Sequence, residues 1–509
     1  MGAPARILAP TLAAVDPQPG PGAADVRTPG RRASAAAWGS FGMLLLAIAA
    51  ILRLPLAGSP LVSDEGGYGF VAGRWADGQR LYTDVFVDRP QGLLLVFRML
   101  VGLEDGPPTL AARVAAMLAA ASIALGAATA AWALAGRRAG VAAGLAAAFA
   151  GAAPHLQGHV LNGELAASAV SVGGVALAFV ARRDDAPRLL LPAGLLAGAA
   201  CTVKQSAVDA VAVVALVALL MPRERRQRAL GWAALGVALP LGLSALHGLA
   251  TGWGAYWYAV VAYRFGPAAD PGGLGAKAEA LDASGPRVLL DLGVLLALAA
   301  FGWAGARFRG RRDWPLLAWV GASTAAIVLG PYAWPHYFLQ WVAPAAVGAG
   351  LALARWSRRR AWTLPVGLAA IAAPAVLTSA MWAGLPPAER DLAATGSRSV
   401  LANEQIAPWL ASNTAPGDEV YALAASADVY LKSGRATAYP YLWWANVRYV
   451  PSALPELRAS LAGPDAPRWV VVYQDPLRVD PTGAVARLLE ERYEPAAVVA
   501  GRSVLRLRT

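Results

Sequence analysis

The sequence predicts a mainly α-helical, polytopic membrane protein of roughly eleven transmembrane helices that carries a small extracytoplasmic α/β domain at its C-terminus. Three observations lead there. Of the 509 residues 57% are hydrophobic and only 15% charged, too apolar for a soluble chain of this length. Apolar runs long enough to cross about 30 Å of hydrocarbon recur along the first three quarters of the chain. Basic residues collect in alternate short loops between them.

Residues 1–36, rich in Pro, Gly and Ala with scattered Arg, read as a disordered cytoplasmic leader. The run that follows is too long for a cleaved signal and is read as a retained span. The expected spans are Ala37–Leu54, Thr109–Ala135, Gly140–Ala153, Val160–Ala181, Leu189–Thr202, Ser206–Met221, Ala229–Ala250, Val288–Ala306, Trp314–Leu329, Tyr337–Ala354 and Trp362–Met381. Together they define a transmembrane domain over 37–383 with a long first outer loop, 55–91.

Arginines at Arg27/Arg31/Arg32, Arg137/Arg138, Arg182/Arg183/Arg188, Arg223–Arg228, Arg307–Arg312 and Arg355–Arg360 put those loops in the cytoplasm and the others, with the tail, outside the plasma membrane. The net charge of +12 is mostly this topogenic arginine, so no nucleic-acid partner is expected.

The tail, 384–509, shows strand-like runs at Glu419–Leu423, Trp469–Tyr473 and Ala497–Leu507 and helical stretches around Asn403–Ala411 and Thr482–Glu491, enough for one α/β domain. Cys201 is the only cysteine, so the tail is held by packing rather than disulfides.

Ionisable residues concentrate in the outward loops. The first carries Asp64-Glu65 directly after the first span and Asp88-Arg89-Pro90-Gln91-Gly92 near its end. Between them, Tyr68, Val71 and Trp75 share one helical face, which predicts a short amphipathic helix in the interface plane. The next outward turns hold Pro154-His155, His159, Asn162-Gly163-Glu164 and Lys204-Gln205-Ser206, and a later one Trp334-Pro335-His336-Tyr337. Polar groups at membrane depth cost several kcal/mol and are kept where they bind or react.

As a set, the acidic pair in a long first outer loop, Asp-Arg-Pro-Gln-Gly, Asn-Gly-Glu, Lys-Gln and the late Pro-His-Tyr resemble the C-type glycosyltransferases over about Trp38–Arg360. The kin would be protein O-mannosyltransferases, aminoarabinose transferases and the rhizobial lipopolysaccharide glycosyltransferases. The resemblance implies a polyprenyl-phosphate-linked sugar donor delivered from the bilayer, an extracytoplasmic acceptor and an inverting attack that needs one base.

Carried over by position, Asp64 would be the general base, Glu65 would orient the acceptor or assist a metal, and Glu164 would be a second carboxylate for acceptor or divalent ion. Arg89 and Lys204 would hold the donor phosphate as charge grows on it, and His336 would donate to the phosphate or a sugar hydroxyl. Asp88 stands where aminoarabinose transferases commonly carry a glutamate. A divalent metal is the one cofactor admitted, with Asp88, His155 and His159 as further acceptor or metal candidates; the two histidines have the i, i+4 spacing of a helical metal pair.

Plainer readings stand beside these. Asp64-Glu65 can be a helix cap, Arg89 and Lys204 can snorkel to headgroups, His155 and His159 can make interfacial hydrogen bonds, and Glu164 can be an intramembrane pair to Arg or His. Two other functions remain open: a transporter or flippase of a polar lipid, which would show internal repeats and mid-span charges that the sequence does not display, and a scaffold whose tail does the work.

Overall fold

In the computed structural model, residues 29–266, 273–307, 313–330 and 332–508 are described; most of the expected leader, and the centre of the Arg307–Arg312 loop, lie outside them. Two compact units are present, Met1–Met43 and Leu44–Thr509. The first contributes the amino-terminal part of helix α1 (Pro29–Ile51). The site described below belongs wholly to the second.

Every one of the eleven apolar runs contains a helix. After α1 these are α4 (Thr109–Ala135), α5 (Arg137–Ala150), α6 (Gly163–Arg183), α7 (Leu190–Val203), α8 (Asp209–Leu219), α9 (Arg223–Thr251), α11 (Gly273–Arg307), α12 (Trp314–Val328), α13 (Leu339–Trp356) and α14 (Thr363–Ala383). Among the described residues six helices are long and apolar enough to cross a membrane: α4, α6, α9, α11, α13 with the turn before it, and α14. The Ala36–Ile51 part of α1 and helices α7, α8 and α12 are apolar but shorter. A 14-residue helix such as α7 rises only about 21 Å.

Small residues let these helices approach closely, the usual device where the hydrophobic effect no longer separates lipid from protein. At the α7–α9 crossing, a Cβ on Gly194 would come within 2.6 Å of the Ala233 carbonyl oxygen, and Gly236 meets Gly194 from the other side.

Charges do occur inside the apolar runs, contrary to expectation, and each has a partner. Arg113 in α4 pairs with Glu65, Glu164 in α6 with Lys204, and Asp291 in α11 with His155. Asp209, opening α8, accepts from the hydroxyls of Ser171 and Ser323 and from the Trp319 indole, all at 3.0 Å. In low dielectric an unpaired charge is expensive, so such residues survive in pairs and networks that the linear sequence does not reveal.

The first outer loop, 55–91, contains α2 (Ser63–Ala76), and α3 (Gln91–Val101) begins where the loop ends. The helix expected in the interface plane is instead buried from Glu65 to Ala72. Its glycines explain why: Gly66, Gly67 and Gly69 leave no side chain on a face that meets Asp428, Trp443, Ala427 and Leu431 of the tail. A further short helix, α10 (Trp253–Val260), follows α9.

The tail contains helices α15 (Pro387–Thr395), α16 (Arg398–Asn413), α17 (Asp428–Ser433), α18 (Trp444–Tyr449), α19 (Ala453–Ala462), α20 (Pro476–Val479) and α21 (Ala484–Arg492). Its sheet has the order β1 (Val420–Leu423), β2 (Trp469–Val472), β4 (Arg502–Leu507), β3 (Tyr493–Val499). β1 and β2 are parallel, pairing Val420 with Trp469, and the other contacts are antiparallel. The single strand expected over Ala497–Leu507 is thus a hairpin. Ala500 and Gly501, both at positive φ, make the tight turn that returns the chain.

Candidate active site

Asp64 and Glu65 occupy the first turn of α2, where the helix dipole favours carboxylates. The N-cap position is Val62, which has no capping side chain, so Glu65 reaches back to accept from the Val62 N–H at 3.1 Å. Glu65 also accepts from Leu161 N–H at 2.8 Å and from both terminal nitrogens of Arg113, at 2.6 and 3.1 Å. Its solvent exposure is 0% and every acceptor direction is filled, so it has nothing left to offer a substrate.

Asp64 points the other way, into a cavity of about 760 Å³ at one end of the helical bundle. The wall is assembled from distant segments: the start of α2, Asp88-Arg89, the His155 turn, Asn162, Arg264, the turn before α13, the ends of α14 and α15, and Trp443 to Asn446 of the tail. Asp64 is half-buried and accepts from Trp443 Nε1 at 3.1 Å and from the Tyr68 hydroxyl at 3.3 Å. Burial pushes its carboxyl above the usual aspartate range, with Arg89 pulling it down and Asp88 pushing it up.

Arg89 pairs with Asp88 at 2.9 Å and lies 6.0 Å from the Tyr68 ring centroid. A second guanidinium, Arg264, reaches the same Asp88 oxygen at 2.5 Å. Pro90, itself extended at φ −65° and ψ 162°, is the N-cap of α3, and Gln205 ties the preceding bend down by donating to the Asp88 carbonyl at 3.0 Å. Two cations therefore share one carboxylate at the cavity wall, which leaves positive charge to meet an anion.

Lys204 and Glu164 form a direct ion pair that adjoins the cavity without lining it. Glu164 sits in the first turn of α6 behind the N-cap Asn162, whose Oδ1 accepts from Leu165 N–H at 2.8 Å. His336, which does line the cavity, lies 3.7 Å from the same Glu164 oxygen, and the Lys204 ammonium stands 4.5 Å from the Tyr337 ring centroid. Lys204 and Glu164 thus make a second polar layer behind the cavity wall, with His336 bridging the two.

The two histidines with helical spacing do not converge. Gln157 between them takes a left-handed conformation, φ 54°, which ends the short helical turn and sends the rings apart. His155 lines the cavity, with Nδ1 2.9 Å from Asp291 and its ring packed edge-on against Trp382. His159 is buried elsewhere, its Nε2–H donating to the Ala394 carbonyl at 3.2 Å; burial with Arg113 and Arg53 nearby pushes it down to about 3, so the ring stays neutral. Among the described residues no three His, Cys, Asp or Glu side chains gather where a metal could be held. The donor set therefore does not fit a metal centre, and no metal role follows for Asp88, His155 or His159.

Of the residues anticipated from sequence, Asp64, Asp88, Arg89, His155 and His336 meet at one cavity, Lys204 and Glu164 back it, and Glu65 and His159 face away. The sequence reading missed Arg264, Arg287, Asn446 and Trp443, and it named Tyr68 and Asn162 without giving either a part in the site. Arg264, a cation in a turn beside the aromatic run Trp253–Tyr258, was open to the same reasoning as Arg89. For Trp443, 379 positions from Asp64, nothing local signals a role.

No family model matches the chain, and no curated relative does. Solved structures do. The aminoarabinose transferase ArnT from Cupriavidus metallidurans bound to undecaprenyl phosphate superposes with a TM-score of 0.63 at 16% identity, covering 91% of this chain and 97% of that one. The oligosaccharyltransferase AglB from Archaeoglobus fulgidus, in complex with an inhibitory peptide and a dolichol-phosphate, gives 0.55 at 14% identity over 90% and 72%. The mycobacterial arabinofuranosyltransferase AftD gives 0.53 at 15% over 92% and 42%. The chain has the C-type glycosyltransferase fold. The match to ArnT runs nearly end to end, so the C-type likeness takes in the tail as well as the helical bundle.

Proposed function

We propose that this protein is a membrane glycosyltransferase that moves a hexosyl or pentosyl group from a polyprenyl-phosphate donor to an extracytoplasmic acceptor, with inversion at the anomeric carbon. The observation that carries this reading is the pairing, at one cavity, of a carboxylate with unused acceptor capacity, Asp64, and a shared-counterion pair of guanidiniums, Arg89 and Arg264. Transfer from a lipid phosphate needs both: a base to take the acceptor hydroxyl proton and cations to stabilise the leaving phosphate.

In this reading Asp64 takes the proton as the acceptor oxygen attacks the anomeric carbon. Arg89, with Lys204 and His336 behind it, meets the phosphate on which negative charge grows as the glycosidic bond breaks. Glu164 holds Lys204 and His336 in place rather than touching the acceptor. Glu65 is a structural pivot for α2. Ligands in the related folds, undecaprenyl phosphate in ArnT and dolichol-phosphate in AglB, support a polyprenyl-phosphate donor here. Taking each of the eleven apolar runs as a span gives an odd number, and with the alternation of arginines this supports a cavity and tail facing outward. The boundaries 37–383 and 384–509 serve as the working division into membrane and tail parts.

Purified protein in liposomes, given a panel of polyprenyl-phosphate sugars and acceptors, should release free polyprenyl phosphate only with an acceptor present. Movement of intact lipid across the bilayer without bond cleavage would replace the enzyme by a flippase. Sidedness is read separately, by impermeant labelling of Asp77→Cys and Ser412→Cys, both exposed, in a Cys201→Ala background. Both should label in intact cells, and labelling of one alone overturns the topology.

A further inference from the structure

One hydrogen bond joins the tail to the chemistry of the cavity, from Trp443 Nε1 to Asp64 Oδ1 at 3.1 Å. An indole N–H can only donate, so it favours the ionised carboxylate and fixes which oxygen it holds. The packing that delivers it is built for the purpose. The Trp443 ring stands 5.7 Å from the Tyr68 ring, and a Cβ on Gly67 would run into Trp443 Cζ2 and lie 2.8 Å from Ala427 Cβ. One helical turn away, Lys432 donates to the Leu61 carbonyl at 3.0 Å and pairs with Asp428 at 2.7 Å, fastening α17 to the segment that leads into Asp64. The bare face of α2 and the tail are thus fitted to each other around a single polar contact.

We infer that Trp443 is a positioning residue for Asp64, so that the C-terminal region completes the active site by orienting the carboxylate and holding it ionised. The inference rests on the reading of Asp64 as the base. With the tail docked, Oδ1 is occupied by the indole and the unfilled acceptor directions of the carboxylate face the cavity. Without the indole N–H, Tyr68 alone restrains the group.

The charged and titratable groups that face Asp64 come from several elements: Tyr68 on α2, Asp88 and Arg89 before α3, Lys204 after α7 and Tyr337 before α13. Trp443→Phe leaves all of them in place and keeps an aromatic ring against Tyr68. It removes one hydrogen bond from an ionised group, so the carboxyl should titrate at higher pH by about one unit.

The test uses the full chain in liposomes. The protonated Asp64 carbonyl stretch is isolated by subtracting the infrared spectrum of Asp64→Asn from that of the parent across a pH titration, which needs no substrate. In Trp443→Phe, referenced to the same protein carrying Asp64→Asn as well, the midpoint should rise by about one pH unit. An unchanged midpoint overturns the inference. If Trp443→Phe does not fold, Gly67→Ala, which displaces the indole without altering it, should give the same rise, and an unmoved midpoint there is equally decisive. Turnover of Asp64→Asn, measured separately by polyprenyl-phosphate release, decides the base assignment: a fully active Asp64→Asn overturns that reading, whatever the infrared titration gives.

Discussion

Asp64 and Glu65 are adjacent in the chain and opposite in fate. Glu65 lies in a sealed region where Arg113 and two backbone N–H groups saturate it. Asp64 lies at the cavity with two donors, at 3.1 and 3.3 Å, and the rest of its acceptor capacity unused. A carboxylate whose lone pairs are all engaged stabilises a fold, and one left partly unsatisfied in a polar cavity is available for proton transfer. The comparison predicts that substitutions in the two regions will separate stability from turnover.

The largest effect should come from the sealed side. Arg113→Met strands the Glu65 charge in the interior and should cost about 3–5 kcal/mol of stability, visible as a large fall in melting temperature of the detergent-solubilised protein. Melting close to that of the parent would show that Glu65 finds another partner and would blur the contrast.

Next is the cavity side. Asp64→Asn keeps shape and packing but removes the base, and turnover should fall on the order of 10²-fold or more, while donor binding persists. Near-parent turnover would move the base to another carboxylate, either Asp88, which lines the cavity, or Glu164, which backs it.

Arg89→Met keeps much of the apolar stem and removes one charge-assisted contact, which should cost about 1.5–3 kcal/mol. If the contact strengthens as the phosphate departs, the loss appears in kcat as well as in apparent donor affinity. A loss confined to KM would assign Arg89 to ground-state binding.

The smallest effect sharpens the comparison through pH. The folded-state pKa of Asp64 is raised above its ordinary value of 3.8, so folding takes up a proton between the two, and ionised Asp64 costs stability above its folded pKa. Asp64→Asn should therefore melt at or above the parent at neutral pH, with the gap closing as pH falls through the folded pKa and below 3.8, where both states of the parent are protonated. The acid limb of kcat/KM should likewise lie above the ordinary aspartate range. A variant that melts well below the parent at pH 7 would mean that Asp64, like Glu65, is chiefly structural.

Much of the architecture was legible in the chain. Long apolar runs can satisfy their backbone groups only as helices in lipid, so each run became a helix. Ionisable residues confined to alternate turns pointed to one face, and Asp64, Asp88, Arg89, His155 and His336 do line one cavity there. Even Val62, with no capping side chain, was compatible with the plain reading that the acidic pair caps a helix, which Glu65 does.

Other features had to wait for tertiary contacts. Adjacent carboxylates such as Asp64 and Glu65 point about 100° apart around a helix, and nothing in the sequence says which direction meets Arg113 and which the cavity. The His155–His159 spacing suggested a shared ligand until the backbone at Gln157 turned them apart. The charges at Arg113, Asp209 and Asp291 are tolerated only because partners tens to more than a hundred residues distant neutralise or satisfy them. Composition and periodicity are local properties, and they determined that this chain is a multi-pass helical membrane protein. Which carboxylate is free, which cation is shared and which indole reaches across from the tail are non-local facts, decided when packing brought segments distant in the chain within 4 Å of one another.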